Sequence, residues 1–156
     1  MAILFLIWLC IAASSDVVYR KSFNWIVILG LILAFFSVGV KPESHPINLC
    51  FIDSFFGFFL AFFVLLIFYK FGLMGAGDVK FAAALGAWVG WELLLPIWAL
   101  SCIFAVIHGL IVKSDIKYYF PVAMKLVDGS KKKGERFIPY VSYLAMATVI
   151  VLMLNK

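Results

Sequence analysis

Charge is what this sequence has least of. Only 13% of its 156 residues are Asp, Glu, Lys or Arg, while 66% are hydrophobic, against about 25% charged in an ordinary soluble domain. A water-facing globular surface is therefore excluded, and the chain reads as an integral membrane protein. Cysteine is scarce as well: Cys10, Cys50 and Cys102 lie in apolar surroundings with no C-x-x-C spacing, which indicates neither a zinc site nor a disulfide framework. They read as small core hydrophobes. The excess of basic over acidic residues, net +5, clusters in a few loops between apolar runs. That pattern fixes orientation in a membrane and does not call for nucleic acid. No basic stretch precedes the first apolar run, so the N-terminus reads as a first span instead of a cleavable signal.

What is present is a series of long apolar runs. The apolar/polar alternation of a transmembrane barrel is missing from them, and lipid offers no water to an open backbone, so helices are the expected spanning form. A hydrocarbon core takes about 20 helical residues. On that ruler the chain reads as six helices: Met1 to about Ser15, about Asn24 to Val40, about Phe51 to Tyr69, Asp78 to about Gly90, about Trp91 to Val112, and about Phe137 to Leu154. The expected fold is an all-α polytopic bundle of about six transmembrane helices, forming a single membrane-embedded domain over residues 1–156.

Alternate loops differ in charge. Arg20 and Lys21 lie in the first, Lys70 and Lys80 flank the third, and Lys113, Lys117, Lys125, Lys131, Lys132, Lys133 and Arg136 crowd the fifth. Those loops are expected on the cytoplasmic side, with both termini outside.

Within this apolar background the stretch "GLMGAGDVK", residues 72–80, places an acid where lipid should follow. The topology gives Asp78 a partner, because Asp16 at the end of the first helix falls at the same cytoplasmic edge. Both helices are short, about fourteen residues or roughly 20 Å, so the helices continue past the acids or the acids lie below the headgroups. An ionised carboxylate near hydrocarbon costs several kcal/mol unless it faces a bundle interior or a wet cavity, which makes both acids functional candidates. The plain alternative is helix capping, with Asp16 before the second helix and Asp78 before the fourth. Gly75 and Gly77 favour the functional reading, since they clear side chains from the approach to Asp78 as a cap alone does not require. Two carboxylates within hydrogen-bond reach cannot both ionise easily and share one proton, the arrangement of aspartic proteolysis. Their individual roles as acid and base stay interchangeable.

The segment "GAGDVKFAAALGAWVGW" resembles the G-x-G-D-x-K segment of the type IV prepilin peptidases, membrane aspartic proteases similar in motif to presenilin and archaeal preflagellin peptidases. Asp16, Arg20, Lys21 and Asn24 occupy the places of the family's early motif, with Ser22 and Phe23 where the family has Ile-Pro. "RFIPYVSYLAMA" is similar to its closing motif, with Val141 in place of the usual glycine. The resemblance implies a catalytic pair of Asp16 and Asp78, and no metal or organic cofactor. It further implies cleavage, at the cytoplasmic face, of the short basic leader of type IV pilin-like precursors. The chain looks like the short form found with Flp or tight-adherence pili, without the zinc-bearing methyltransferase domain, in the inner or cytoplasmic membrane of a prokaryote.

Other residues carry weaker readings. Lys80 points about 160° away from Asp78 on a helix, so it either anchors the interface or tunes the site. Arg20 and Asn24, four apart, could share a face near Asp16. His108 reads as a packing residue, and Glu92 and His45 fall on the outer side. The stretch 114–136 reads as a surface connector or a flap over the site. Two other classes of function remain: a small proton- or ion-coupled transporter, which would place its acids near midmembrane between inverted repeats that this chain lacks, and a non-catalytic assembly factor of a pilus machine.

Overall fold

The computed structural model describes residues 2–19, 23–40, 49–72, 74–113 and 140–155. Every regular element among them is helical: α1 (Ala2–Tyr19), α2 (Asn24–Val40), α3 (Phe51–Lys70), α4 (Ala76–Lys113) and α5 (Tyr140–Leu154). Helices Ala2–Tyr19 and Phe51–Lys70 and the stretch Ala76–Leu110 are long and apolar enough to cross a membrane, and Asn24–Val40 and Tyr140–Leu154 are shorter apolar helices. The all-α membrane architecture expected from the apolar runs is the one observed.

The helix count differs in one respect. The expected fourth and fifth helices form one element, α4, interrupted at Gly90 with φ 74° and ψ 177°. Glycine alone reaches that backbone region without strain, and the Leu49 Cδ2 atom lies 2.8 Å from where a Cβ would stand. Five elements are therefore described where six were expected, with the break at the boundary drawn from the sequence. The two limbs fold back on each other at Gly90. Tyr140 shows this: its hydroxyl is 3.3 Å from Ser101 on the second limb, and it also senses the charge of Asp78 on the first.

The first limb is the centre of the bundle. Residues 81–90 are all buried, an all-round burial possible because six of the ten are alanine or glycine and let neighbouring backbones approach closely. Gly86 meets Gly57 of α3 so closely that a Cβ on either would run into the other's carbonyl oxygen. Ser54 beside this crossing donates its hydroxyl to the Ala87 carbonyl at 2.6 Å. On the opposite side Phe5, Trp8, Phe81 and Trp88 form one aromatic cluster, with centroid separations of 4.8 Å for Phe5–Trp88 and 5.0 Å for Trp8–Phe81. Both indoles are anchored to α2: Trp8 Nε1 donates to the Ile26 carbonyl at 2.8 Å and Trp88 Nε1 to the Gly30 carbonyl at 2.9 Å. These bonds meet the demand that buried polar groups find partners where no water is present.

One expectation about particular residues is corrected, and one open alternative is decided. Cys10 and Cys50 are exposed and Cys102 is half-buried, so none belongs to the core. α1 runs to Tyr19 and α4 begins at Ala76, so both helices continue past their acids.

Gly86→Val should lower the thermal midpoint of the detergent-solubilised protein by a change worth about 1–3 kcal/mol, the usual cost of overpacking. Gly39→Ala, where an added carbon has nothing within 4 Å, should change stability by less than about 0.5 kcal/mol. Equal shifts in the two variants would contradict the close α3–α4 crossing.

Candidate active site

Asp16 sits in the last turn of α1 and is only 2% exposed. Its partners come from the far end of the chain. Ser142 donates its backbone N–H to Asp16 Oδ2 at 3.2 Å and its hydroxyl to the same oxygen at 3.3 Å. The Val141 N–H is also directed at the carboxylate. The local sequence explains why. α5 starts at Tyr140, so the N–H groups of its first turn have no carbonyl within their own helix and need an acceptor. A carboxylate on α1 supplies it, where the positive end of the helix dipole favours an anion. Asp16 therefore caps a helix, but that helix is α5 and not α2, as the sequence had suggested.

Asp78 is 8% exposed and lies in the first turn of α4. Gly75 takes the capping position that the sequence had offered to Asp78. Its carbonyl accepts the Asp78 N–H at 3.1 Å and the Val79 N–H at 3.3 Å. The Asp78 carboxylate in turn faces back toward the Gly75 N–H, the one half of a capping box that a glycine at the capping position allows. Neither Gly75 nor Gly77 has positive φ, so backbone conformation does not demand glycine at either position.

Asp16 lies near the end of α1 and Asp78 near the start of α4, and both are buried. Asp16 is near enough to Asp78 for its charge to bear on the second carboxyl, and α5, which supplies Ser142 to Asp16, also carries Tyr140 and Tyr143. Among the described residues neither acid has a cationic partner, and no group of three or more His, Cys, Asp or Glu side chains could hold a metal ion. The two carboxylates are buried, and Asp16 is held by the Ser142 N–H and hydroxyl. Such a pair can hold and move protons without long side-chain excursions.

The remaining candidates separate. Lys80 is exposed, turned away from the buried Asp78, and donates to Asn24 Oδ1 at 3.2 Å. The bond joins α4 to the first residue of α2, so Lys80 and Asn24 are one unit. Arg20 lies outside the described residues, as do His45 and the expected flap over residues 114–136. His108 is half-buried, its ring 5.7 Å from that of Tyr143, in keeping with a packing role. The sequence singled out neither Ser142 nor the two tyrosines. The available signal was three polar residues, at positions 140, 142 and 143, in the first turn of an otherwise apolar helix.

A family model described as the type IV leader peptidase family matches residues 3–110 of the chain. The matched stretch carries both acids and ends before α5, which contributes Ser142. Comparison with curated proteins and with solved structures gives no match.

Asp16→Ala leaves the first-turn N–H groups of α5 without their acceptor and should cost about 1–2 kcal/mol, the usual loss for a helix cap. Asp16→Asn keeps an acceptor oxygen and should retain most of that stability. Thermal unfolding in one detergent compares the two, and equal losses would show that the cap contributes nothing.

Proposed function

Because the chain belongs to the type IV leader peptidase family, we propose that it is an aspartic endopeptidase. It removes the short basic leader of type IV pilin-like precursors at the cytoplasmic membrane face, with Asp16 and Asp78 as its catalytic pair. The observation that carries this reading is two buried acids on separate helices, with Asp16 near enough to bear on Asp78 and itself held by the N-terminus of α5. The charge pattern of the loops supports the cytoplasmic placement.

In the proposed reaction the pair holds one proton. The ionised carboxylate takes a proton from water as the water oxygen attacks the scissile carbonyl carbon, and the protonated carboxyl gives its proton to the carbonyl oxygen. A tetrahedral diol results. As it collapses, the carbon–nitrogen bond breaks, the nitrogen receives the proton held by one carboxyl, and the other carboxylate takes a proton from a diol hydroxyl, so the pair again holds one proton. The products are a leader with a new carboxylate and a mature chain with a new amine. Burial supplies what the step requires, since electrostatic interactions are stronger in a water-poor setting than in bulk solvent.

Gly75 and Gly77 lie on the approach to Asp78. With no side chains there, an extended substrate backbone can come close. Lys80 and Asn24 form an exposed, joined polar pair, which on this reading is free to hold substrate carbonyls without entering the chemistry. A precursor delivered within the membrane plane reaches the site without electrostatic steering, so the basic loops do not oppose its basic leader over long distances.

Co-expression with a pilin-like precursor tests the proposal through the size shift of leader removal. Wild type should process the precursor, whereas Asp16→Ala and Asp78→Ala should abolish processing while still accumulating in the membrane. Processing by either variant at the wild-type level would overturn the assignment.

A further inference from the structure

Ser142 is placed to do more than close α5 against α1. Its N–H and its hydroxyl both reach Asp16 Oδ2, at 3.2 and 3.3 Å, and the hydroxyl also lies 3.2 Å from the Ala13 carbonyl oxygen, one turn earlier on α1. A serine hydroxyl has one hydrogen and can also accept. With two acceptors in reach, it can serve only one at a time, and the choice depends on Asp16. When the carboxylate is ionised, the hydroxyl hydrogen points to Oδ2. When a proton resides on Oδ2, that proton is donated to Ser142 Oγ and the hydroxyl hydrogen turns to the Ala13 carbonyl. No heavy atom has to move between the two arrangements. The backbone N–H of Ser142 stays on Oδ2 throughout.

We propose that Ser142 is a positioning residue for Asp16, its hydroxyl changing acceptor as the carboxyl gains and loses a proton so that Asp16 keeps one orientation through turnover. The inference rests on the reading of Asp16 as half of the catalytic pair. It gives α5, which lies beyond the matched stretch, a share in the chemistry. Ser142 does not touch substrate and acts through Asp16 alone. An acid that must alternate between donor and acceptor otherwise re-forms its hydrogen bonds at each step, and a displacement of about 1 Å at a reacting group can cost 100-fold in rate.

The test uses purified full-length protein in detergent and a pilin-like precursor carrying its leader, with kcat, KM and thermal midpoint measured for Ser142→Ala and Ser142→Thr. Threonine retains both donors and fits a first helical turn. Ser142→Ala should lose about 10- to 100-fold in kcat, as is usual when a hydrogen-bonding support behind a reactive group is removed, with KM within about twofold of wild type. Ser142→Thr should recover kcat to within about threefold of wild type, a rescue that turns on the hydroxyl.

Wild-type kcat in Ser142→Ala, or an equal loss in Ser142→Thr, overturns the inference, and with Asp16→Ala inactive the peptidase reading still stands. Normal cleavage by Asp16→Ala overturns both. If Ser142→Ala does not fold, Ser142→Thr decides alone: near-wild-type kcat supports the hydroxyl's role, and a loss of 10-fold or more in a folded variant contradicts it.

Discussion

The bond between the start of α5 and the carboxylate of Asp16 answers two demands at once. A helix that begins inside an apolar bundle exposes N–H groups for which lipid offers no partner, and a carboxylate in the same place needs donors of its own. Each satisfies the other. Because the partners come from opposite ends of the chain, this contact also closes the bundle, bringing α5 against α1. The same solution recurs at Asp78, where the acceptor and the unsatisfied N–H groups belong to one helix. Both acids are thus tolerated in the interior for an identifiable reason, and both are oriented by it.

The rest of the architecture places those two ends together. The first limb of α4 can run through the middle of the bundle because its alanines and glycines let α3 approach to backbone contact at Gly57 and Gly86. Large side chains are confined to one sector, where Phe5, Trp8, Phe81 and Trp88 stack and the indoles bond to α2 carbonyls. With the limb held on both sides, its first turn, and so Asp78, is fixed relative to the last turn of α1. The reversal at Gly90 then returns the second limb to the level of the acids, where Ser101 meets Tyr140. The helix crossings thus govern where the acids meet.

Much of this was legible in the sequence, for reasons that differ by residue. The bounds of α2, Asn24 to Val40, were read correctly because polar and charged residues bracket an uninterrupted apolar run. The break at Gly90, between the expected fourth and fifth helices, was placed correctly as well. The charge pattern of the loops led to Asp16 and Asp78 being expected at one edge, and the structure buries both side chains; their use as a pair belongs to the proposed function. What could not be read depended on distant partners. The burial of the Asp16 carboxylate rests on donors that lie on α5, and the role of Ser142 is the same fact viewed from the other side. The bond from Lys80 to Asn24 likewise joins separate helices. The cysteines were misplaced for another reason: both faces of a membrane helix are apolar, so hydrophobicity does not say which side chains turn inward.

The central claim is that Asp16 and Asp78 act as one unit, sharing a proton and a water molecule. It is tested most directly by single-turnover rates of leader removal for Asp16→Asn, Asp78→Asn and the double variant, at high enzyme concentration in one detergent. Members of one catalytic unit give losses that do not add. The account predicts that the double variant is no slower than the slower single variant. Losses that multiply, or a single variant that cleaves at the wild-type rate, would contradict it.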